Sequence, residues 1–181
     1  MVYRISGKEL AEQAVSGGYV GIPYSDLDCQ AFVEEVLKDC GVLKPDGTPY
    51  NWRGSNSMWR NYIKWKGTKE ECIKKFGAIP LGAFMFLLKH DGGEEERGYH
   101  DGEGNASHVG LYVGSDRPMP CMDSQGNRGV DYCGLKVFTH VGLMAMVDYY
   151  NEPLPSEESP TKEEALKALE TLTKFIQEVN I

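Results

Sequence analysis

Two residues in this sequence have the type and setting for covalent chemistry. Cys29 directly follows Asp28, and His108 opens the stretch His108-Val-Gly-Leu-Tyr-Val-Gly114. A thiolate attacks carbonyl carbon, and a nearby imidazole activates the thiol and then protonates the leaving group. Cys29 is expected at the start of a helix, where unpaired N–H groups and the positive end of the dipole favour a thiolate, so its pKa is predicted to fall. In a strand, His108, Gly110 and Tyr112 share one face, while Val109, Leu111 and Val113 share the other. Gly110 allows a second element to approach closely, and the helix carrying Cys29 is expected to use that space. A third polar group should orient the imidazole. Asp123 is the first choice, since a hairpin from 108–113 to 119–124 puts it beside His108, and Ser124 and Gln125 are the alternatives.

The elements that must hold these residues follow from periodicity and caps. Ser6 to Val15 reads as a helix capped by Ser6 and ended by Gly17-Gly18. Leu27 to Cys40 is the clearest helix, with Cys29, Phe32, Val33, Val36, Leu37 and Cys40 on one stripe and Gly41 after it. A helix starting at Ser55 or Ser57 is expected to hold Met58, Trp59, Tyr62 and Ile63. Thr68 and Glu71 are spaced as a capping box for a helix to Phe76. Strands are expected over Ala83–Leu88, His108–Val113 and Met119–Ser124, with one or two more between Val137 and Tyr149. Lys89 to Ser107 reads as a long, polar, glycine-rich loop. Helices first and strands after predict an α+β domain over residues 1–150. Residues 151–160, with three prolines, read as a linker. Residues 161–181 read as a C-terminal amphipathic helix, which must pack on this domain or on a partner chain.

With these residues in view, the chain resembles the NlpC/P60 family. Tyr24-Ser-Asp-Leu-Asp-Cys29-Gln-Ala-Phe-Val is similar to that family's cysteine block, and Ser107-His108-Val-Gly-Leu-Tyr-Val-Gly114 is similar to its histidine strand. Asp123-Ser-Gln-Gly-Asn-Arg-Gly-Val130 resembles the strand and turn that follow. The likeness runs from about residue 6 to 149, and the loop before His108 is most similar to phage-encoded members. Ala31 stands where glycine is common, and Asp123 where the third catalytic residue is often histidine. The resemblance implies a papain-like core, a cysteine helix packed on an antiparallel sheet, and a thiol endopeptidase that hydrolyses peptidoglycan stem peptides. It also implies that Tyr24 brings its hydroxyl near the nucleophile, as an oxyanion or substrate contact.

Plainer assignments cover the remaining residues. Cys40 belongs to the core stripe; Cys72, Cys121 and Cys133 read as core or surface thiols, since no CxxC pair marks a metal or redox site. His90, His100 and His140 read as structural or solvent-facing, Trp52, Trp59 and Trp65 as packing, and Arg53 and Arg128 as solvated. The acidic residues between Asp91 and Glu103 do not have EF-hand spacing, and the Cys–His chemistry needs no metal or organic cofactor. A net charge of −8 argues against nucleic acid as partner. No apolar run is long enough to span a bilayer, and the N-terminus lacks a signal peptide's apolar segment. The expectation is synthesis in the cytoplasm and action on the wall, reached through lysis or a phage particle. Two alternatives stand beside this reading: an amidase or transferase using the same pair, and a non-catalytic wall-binding or phage structural protein of the same fold.

Overall fold

The sequence signals can be followed one by one in the computed structural model, which describes residues 4–89, 101–120 and 129–149. All of these lie in one unit, residues 1–149. The expected linker and C-terminal helix lie outside the described residues, as do His90, His100, Cys121, Asp123, Ser124, Gln125 and Arg128. A short β1 (Ile5–Ser6) leads into α1 (Gly7–Ser16), and Ser6 and Glu9 form a reciprocal capping box at the junction. The cysteine helix, α2, spans Cys29–Asp39; Asp28 is its cap, its carboxylate accepting from the Ala31 N–H at 2.7 Å. Such a cap is worth about 1 kcal/mol.

The next segment departs from expectation. α3 is Gly54–Arg60, and Tyr62 and Ile63 are not helical. Tyr62 has φ of +67°, which breaks the helix, and Ile63 opens β2 (Ile63–Thr68). Ile63-Lys-Trp-Lys alternates with period two, the pattern of a half-buried strand. Thr68 then caps α4 (Lys69–Phe76) with Glu71 completing the box, as its spacing predicts.

β3 (Phe84–Lys89) has the expected length but lies one residue later, and β4 (Asn105–Tyr112) is longer than expected; they take one residue at one end and three at the other from the predicted loop. β5 is Pro118–Pro120, a 3-10 turn covers Leu135–Val137, and β6 (His140–Met144) and β7 (Val147–Asp148) follow. The main sheet has the order β2-β6-β3-β4-β5 and every pairing in it is antiparallel; β1 and β7 pair in parallel apart from it. The described architecture is therefore mixed α+β, with helices and an antiparallel five-stranded sheet.

The two faces of the sheet carry two cores. Phe84, Phe86, Ala106, Val109 and Leu111 pack with Phe32, Val33, Val36 and Leu37 of α2. Met85, Val141 and Leu143 pack with Phe138 and Cys72 on the other face. Each fully buried aliphatic or aromatic side chain here contributes about 1.5–3 kcal/mol. One irregularity bears on the site. Leu87 pairs with His108 but Leu88 pairs with Ala106, so Ser107 is an extra residue in β4. This bulge explains why Ala106 and Val109, three residues apart, share one core where strict alternation would separate them. Among the described residues no helix is long and apolar enough to cross a membrane.

Candidate active site

Cys29 is the first residue of α2, and its side chain is only 7% exposed. Its sulfur meets β4 at the Val109 backbone amide and also meets the Tyr24 hydroxyl and the Gln30 amide. The availability of that Val109 amide follows from the ladder. Phe86, which pairs with both Val109 and His140, turns its carbonyl toward β6 and accepts from Thr139 N–H at 3.0 Å. Backbone groups of directly opposed antiparallel residues face each other or face away together, so Val109 points its N–H away from β3. The sulfur that meets this N–H lies one peptide unit from the backbone of His108.

His108 follows the bulge and is half-buried, with its ring stacked on Phe138 at a centroid distance of 5.6 Å and an interplanar angle of 3°. Here the geometry corrects the role assigned to Gly110. A side-chain carbon at that position would lie 3.0 Å from Pro120 Cβ and 3.1 Å from Phe138 Cζ. The space above Gly110 therefore admits Phe138 and Pro120, while α2 packs on the face bearing Val109 and Leu111.

The electrostatics also differ from expectation. Burial pushes the Cys29 thiol above its ordinary value; the Val109 amide opposes this, the Asp28 carboxylate adds to it, and the Tyr24 hydroxyl and Gln30 amide oppose it. The helix N-terminus is present as predicted, but loss of water around the sulfur outweighs it. Burial likewise pushes the His108 imidazole down to about 4. At neutral pH Cys29 rests as a thiol and His108 as a neutral imidazole, and a neutral imidazole is the form that accepts a proton.

A stability test follows from His108. Its unfolded value is near 6.5 and its folded value about 4, so the fold disfavours the protonated ring. Stability is fully present above pH 6.5 and is lost as pH falls from there to about 4, by roughly 3 kcal/mol at most. Urea unfolding across this window, compared with His108→Gln, is expected to show a steeper loss for the native chain. Parallel slopes for the two proteins would contradict the assignment.

Further contacts fix the segments around Cys29 and those that precede His108. Gln30 Nε2 donates to Glu34 Oε1 at 2.7 Å and to the Trp52 carbonyl at 2.6 Å, while Trp52 N–H donates to Glu34 Oε1 at 2.6 Å. This network holds the 50–53 segment against the start of α2. Asn56 donates to Asn105 Oδ1 at 2.7 Å and accepts from Ala106 N–H at 2.8 Å, tying α3 to β4 just before the bulge. The Tyr24 loop is held from the other side: Val130 N–H donates to Ile22 O at 2.9 Å, and Gly21 N–H donates to Val130 O at 2.8 Å.

Of the residues singled out from sequence, Cys29, Tyr24 and the His108–Val109 backbone come together at one place. Asp123, Ser124 and Gln125 lie outside the described residues. His140 lies elsewhere, its ring edge-on to Trp59 and its Nδ1 at 2.9 Å from Thr139 Oγ1. Sequence reasoning missed Phe138 and the Val109 amide, since an isolated phenylalanine and a backbone N–H leave no motif. Among the described residues no group of three or more His, Cys, Asp or Glu side chains is gathered to hold a metal ion. No protein-family model matches this chain, and no curated protein matches it.

Proposed function

We propose that this chain is a cysteine hydrolase that cuts peptide bonds, with Cys29 as nucleophile and His108 as base, and that its substrate is the stem peptide of bacterial cell wall. The observation that carries the reading is the setting of the Cys29 sulfur. It sits on the first residue of a capped helix, against the Val109 amide that directly follows His108, with the Tyr24 hydroxyl also on it. The substrate class rests on the NlpC/P60 resemblance of the segments around Tyr24–Val33 and Ser107–Gly114.

In this mechanism His108 takes the thiol proton as sulfur attacks the scissile carbonyl, so the thiolate forms only in company with an imidazolium. The new oxyanion accepts hydrogen bonds from the Cys29 N–H and the Tyr24 hydroxyl. The carbon–nitrogen bond breaks, and His108 gives its proton to the departing amine. Water then attacks the thioester and passes a proton to His108. The carbon–sulfur bond breaks, and the proton returns to Cys29. Asp123, with Ser124 and Gln125 behind it, is the residue this reading assigns to orient the imidazole. The site of action is the wall, reached through lysis or a phage particle.

One observation favours a second reading. The burial that raises the Cys29 thiol is also what a structural cysteine has, and it fits a non-catalytic wall-binding or virion protein of the same fold. The two readings part on a single assay. Purified wall fragments and free stem peptides are incubated with the full chain, and the products are read by mass spectrometry. The hydrolase reading expects new amino and carboxyl ends within the peptide; binding to wall without any new ends supports the second reading.

A further inference from the structure

We propose that Phe138 is a positioning residue for the Cys29–His108 pair, holding the His108 ring in one plane by stacking on it. The proposal rests on the hydrolase reading above and adds a residue that the cysteine and histidine motifs do not contain.

The contact is close to parallel, at 3°, and the Phe138 side chain is fully buried. A ring with no exposed surface and packed neighbours has few rotamers available, so it is a fixed wall rather than a mobile cover. Its own placement is over-determined. The next residue, Thr139, donates its N–H to Phe86 O at 3.0 Å, and its hydroxyl accepts from Leu88 N–H at 3.0 Å. Leu88 is the residue at which the β3–β4 register shifts around Ser107. The hydroxyl of Thr139 therefore bonds the β3 amide at the bulge that aims His108, while Phe138 stacks on the ring so aimed.

Gly110 completes the arrangement. It lies on the His108 face of β4, and a side-chain carbon there would press on Phe138 at 3.1 Å. The glycine two residues after the histidine thus makes room for the stacked ring. A general base loses efficiency when its geometry wanders, and misplacement by about 1 Å costs on the order of a hundredfold. Among the described residues, the titratable side chains carried by the elements around this contact include Cys29 of α2, Lys69 of α4, Tyr112 of β4, Asp131, Cys133 and Lys136 of the segment between β5 and β6, and His140 at the start of β6. Burial pushes the imidazole down, and Phe138 supplies part of that burial.

The test uses the full chain and iodoacetamide as probe, with Cys29 alkylation followed by peptide mapping in wild type, His108→Ala and Phe138→Leu. Leucine keeps an apolar side chain but removes the stack; should it fail to fold, Phe138→Met carries the same test. The expected result is a fall of about tenfold or more at neutral pH in Phe138→Leu. With it, the NMR titration midpoint of His108 moves from about 4 toward the ordinary 6.5, and its ring protons lose the upfield shift that a stacked phenyl imparts. A Phe138→Leu rate within about twofold of wild type, with His108→Ala still slow, overturns the positioning role and leaves the hydrolase reading standing. A wild-type rate that His108→Ala leaves unchanged overturns both.

Discussion

Cys29→Ala will abolish the proposed hydrolysis while leaving a folded chain. Loss of a nucleophile from a pair that acts as a unit lowers turnover by about 10⁴- to 10⁶-fold, with binding and oxyanion contacts supplying what remains. His108→Ala is expected to fall nearly as far, because the neutral thiol that burial enforces is a poor nucleophile without a base. Stability should change little in Cys29→Ala. The substitution removes one buried sulfur and its contacts with Val109 and Tyr24, a cost of about 1 kcal/mol. The check is product formation on stem peptide by mass spectrometry, paired with urea unfolding of the same samples. A Cys29→Ala chain that unfolds like wild type and still releases product would place the chemistry on another residue.

Gly129→Ala is expected to have the largest structural effect of any single methyl addition among the described glycines. The added carbon would stand 1.7 Å from the Ile22 carbonyl oxygen and 2.4 Å from its carbon. Both are backbone atoms, and they belong to the loop that carries Tyr24 two residues later. Relief requires the loop to move, breaking the Val130–Ile22 and Gly21–Val130 hydrogen bonds that pin it. A loss of about 3 kcal/mol or more is expected, with a fall in hydrolysis of about a hundredfold as Tyr24 leaves the sulfur. Gly134→Ala is the control, since the nearest neighbour to its added carbon is Lys136 Cγ at 3.8 Å. Thermal unfolding and turnover should separate the two variants widely. Equal behaviour would mean that the Tyr24 loop is not held in this way.

What could be read in advance, and what could not, divides by range. Capping is local, and Ser6 and Thr68 each accept from the amide three residues on, at the start of the helix they were expected to begin; Asp28 does the same for α2, whose start was expected at Leu27. The α2 stripe is also local, and Phe32, Val33, Val36 and Leu37 are all fully buried. β2 was legible in principle from the alternation of Ile63-Lys-Trp-Lys, but the aromatic and aliphatic residues just before it also fit a helical stripe. The left-handed Tyr62 that decides between them has no signature, since tyrosine rarely takes that conformation.

Longer-range features were harder. The bulge at Ser107 appears only once β3 and β4 are in register. Without that register, Gly110 is assigned to the wrong neighbour, because its vacancy can be read from sequence but its occupant cannot. Phe138 reaches His108 across 30 positions of sequence and has nothing around it to mark it. The pKa of Cys29 was misjudged for a related reason. The helix N-terminus is a property of neighbouring residues, whereas burial comes from the whole fold, and burial prevails.

The measurement that bears most directly on the central claim is alkylation of the cysteines by iodoacetamide from about pH 4 to about pH 9, with peptide mapping, in wild type and His108→Ala. Cys29 is expected to outpace Cys40, Cys72 and Cys133, whose thiols burial pushes up to about 11. Its advantage should rise as His108 loses its proton near pH 4, and it should vanish in His108→Ala. If instead Cys29 reacts no faster than the other thiols, or reacts equally with and without His108, Cys29 is a structural cysteine and the hydrolase assignment is wrong.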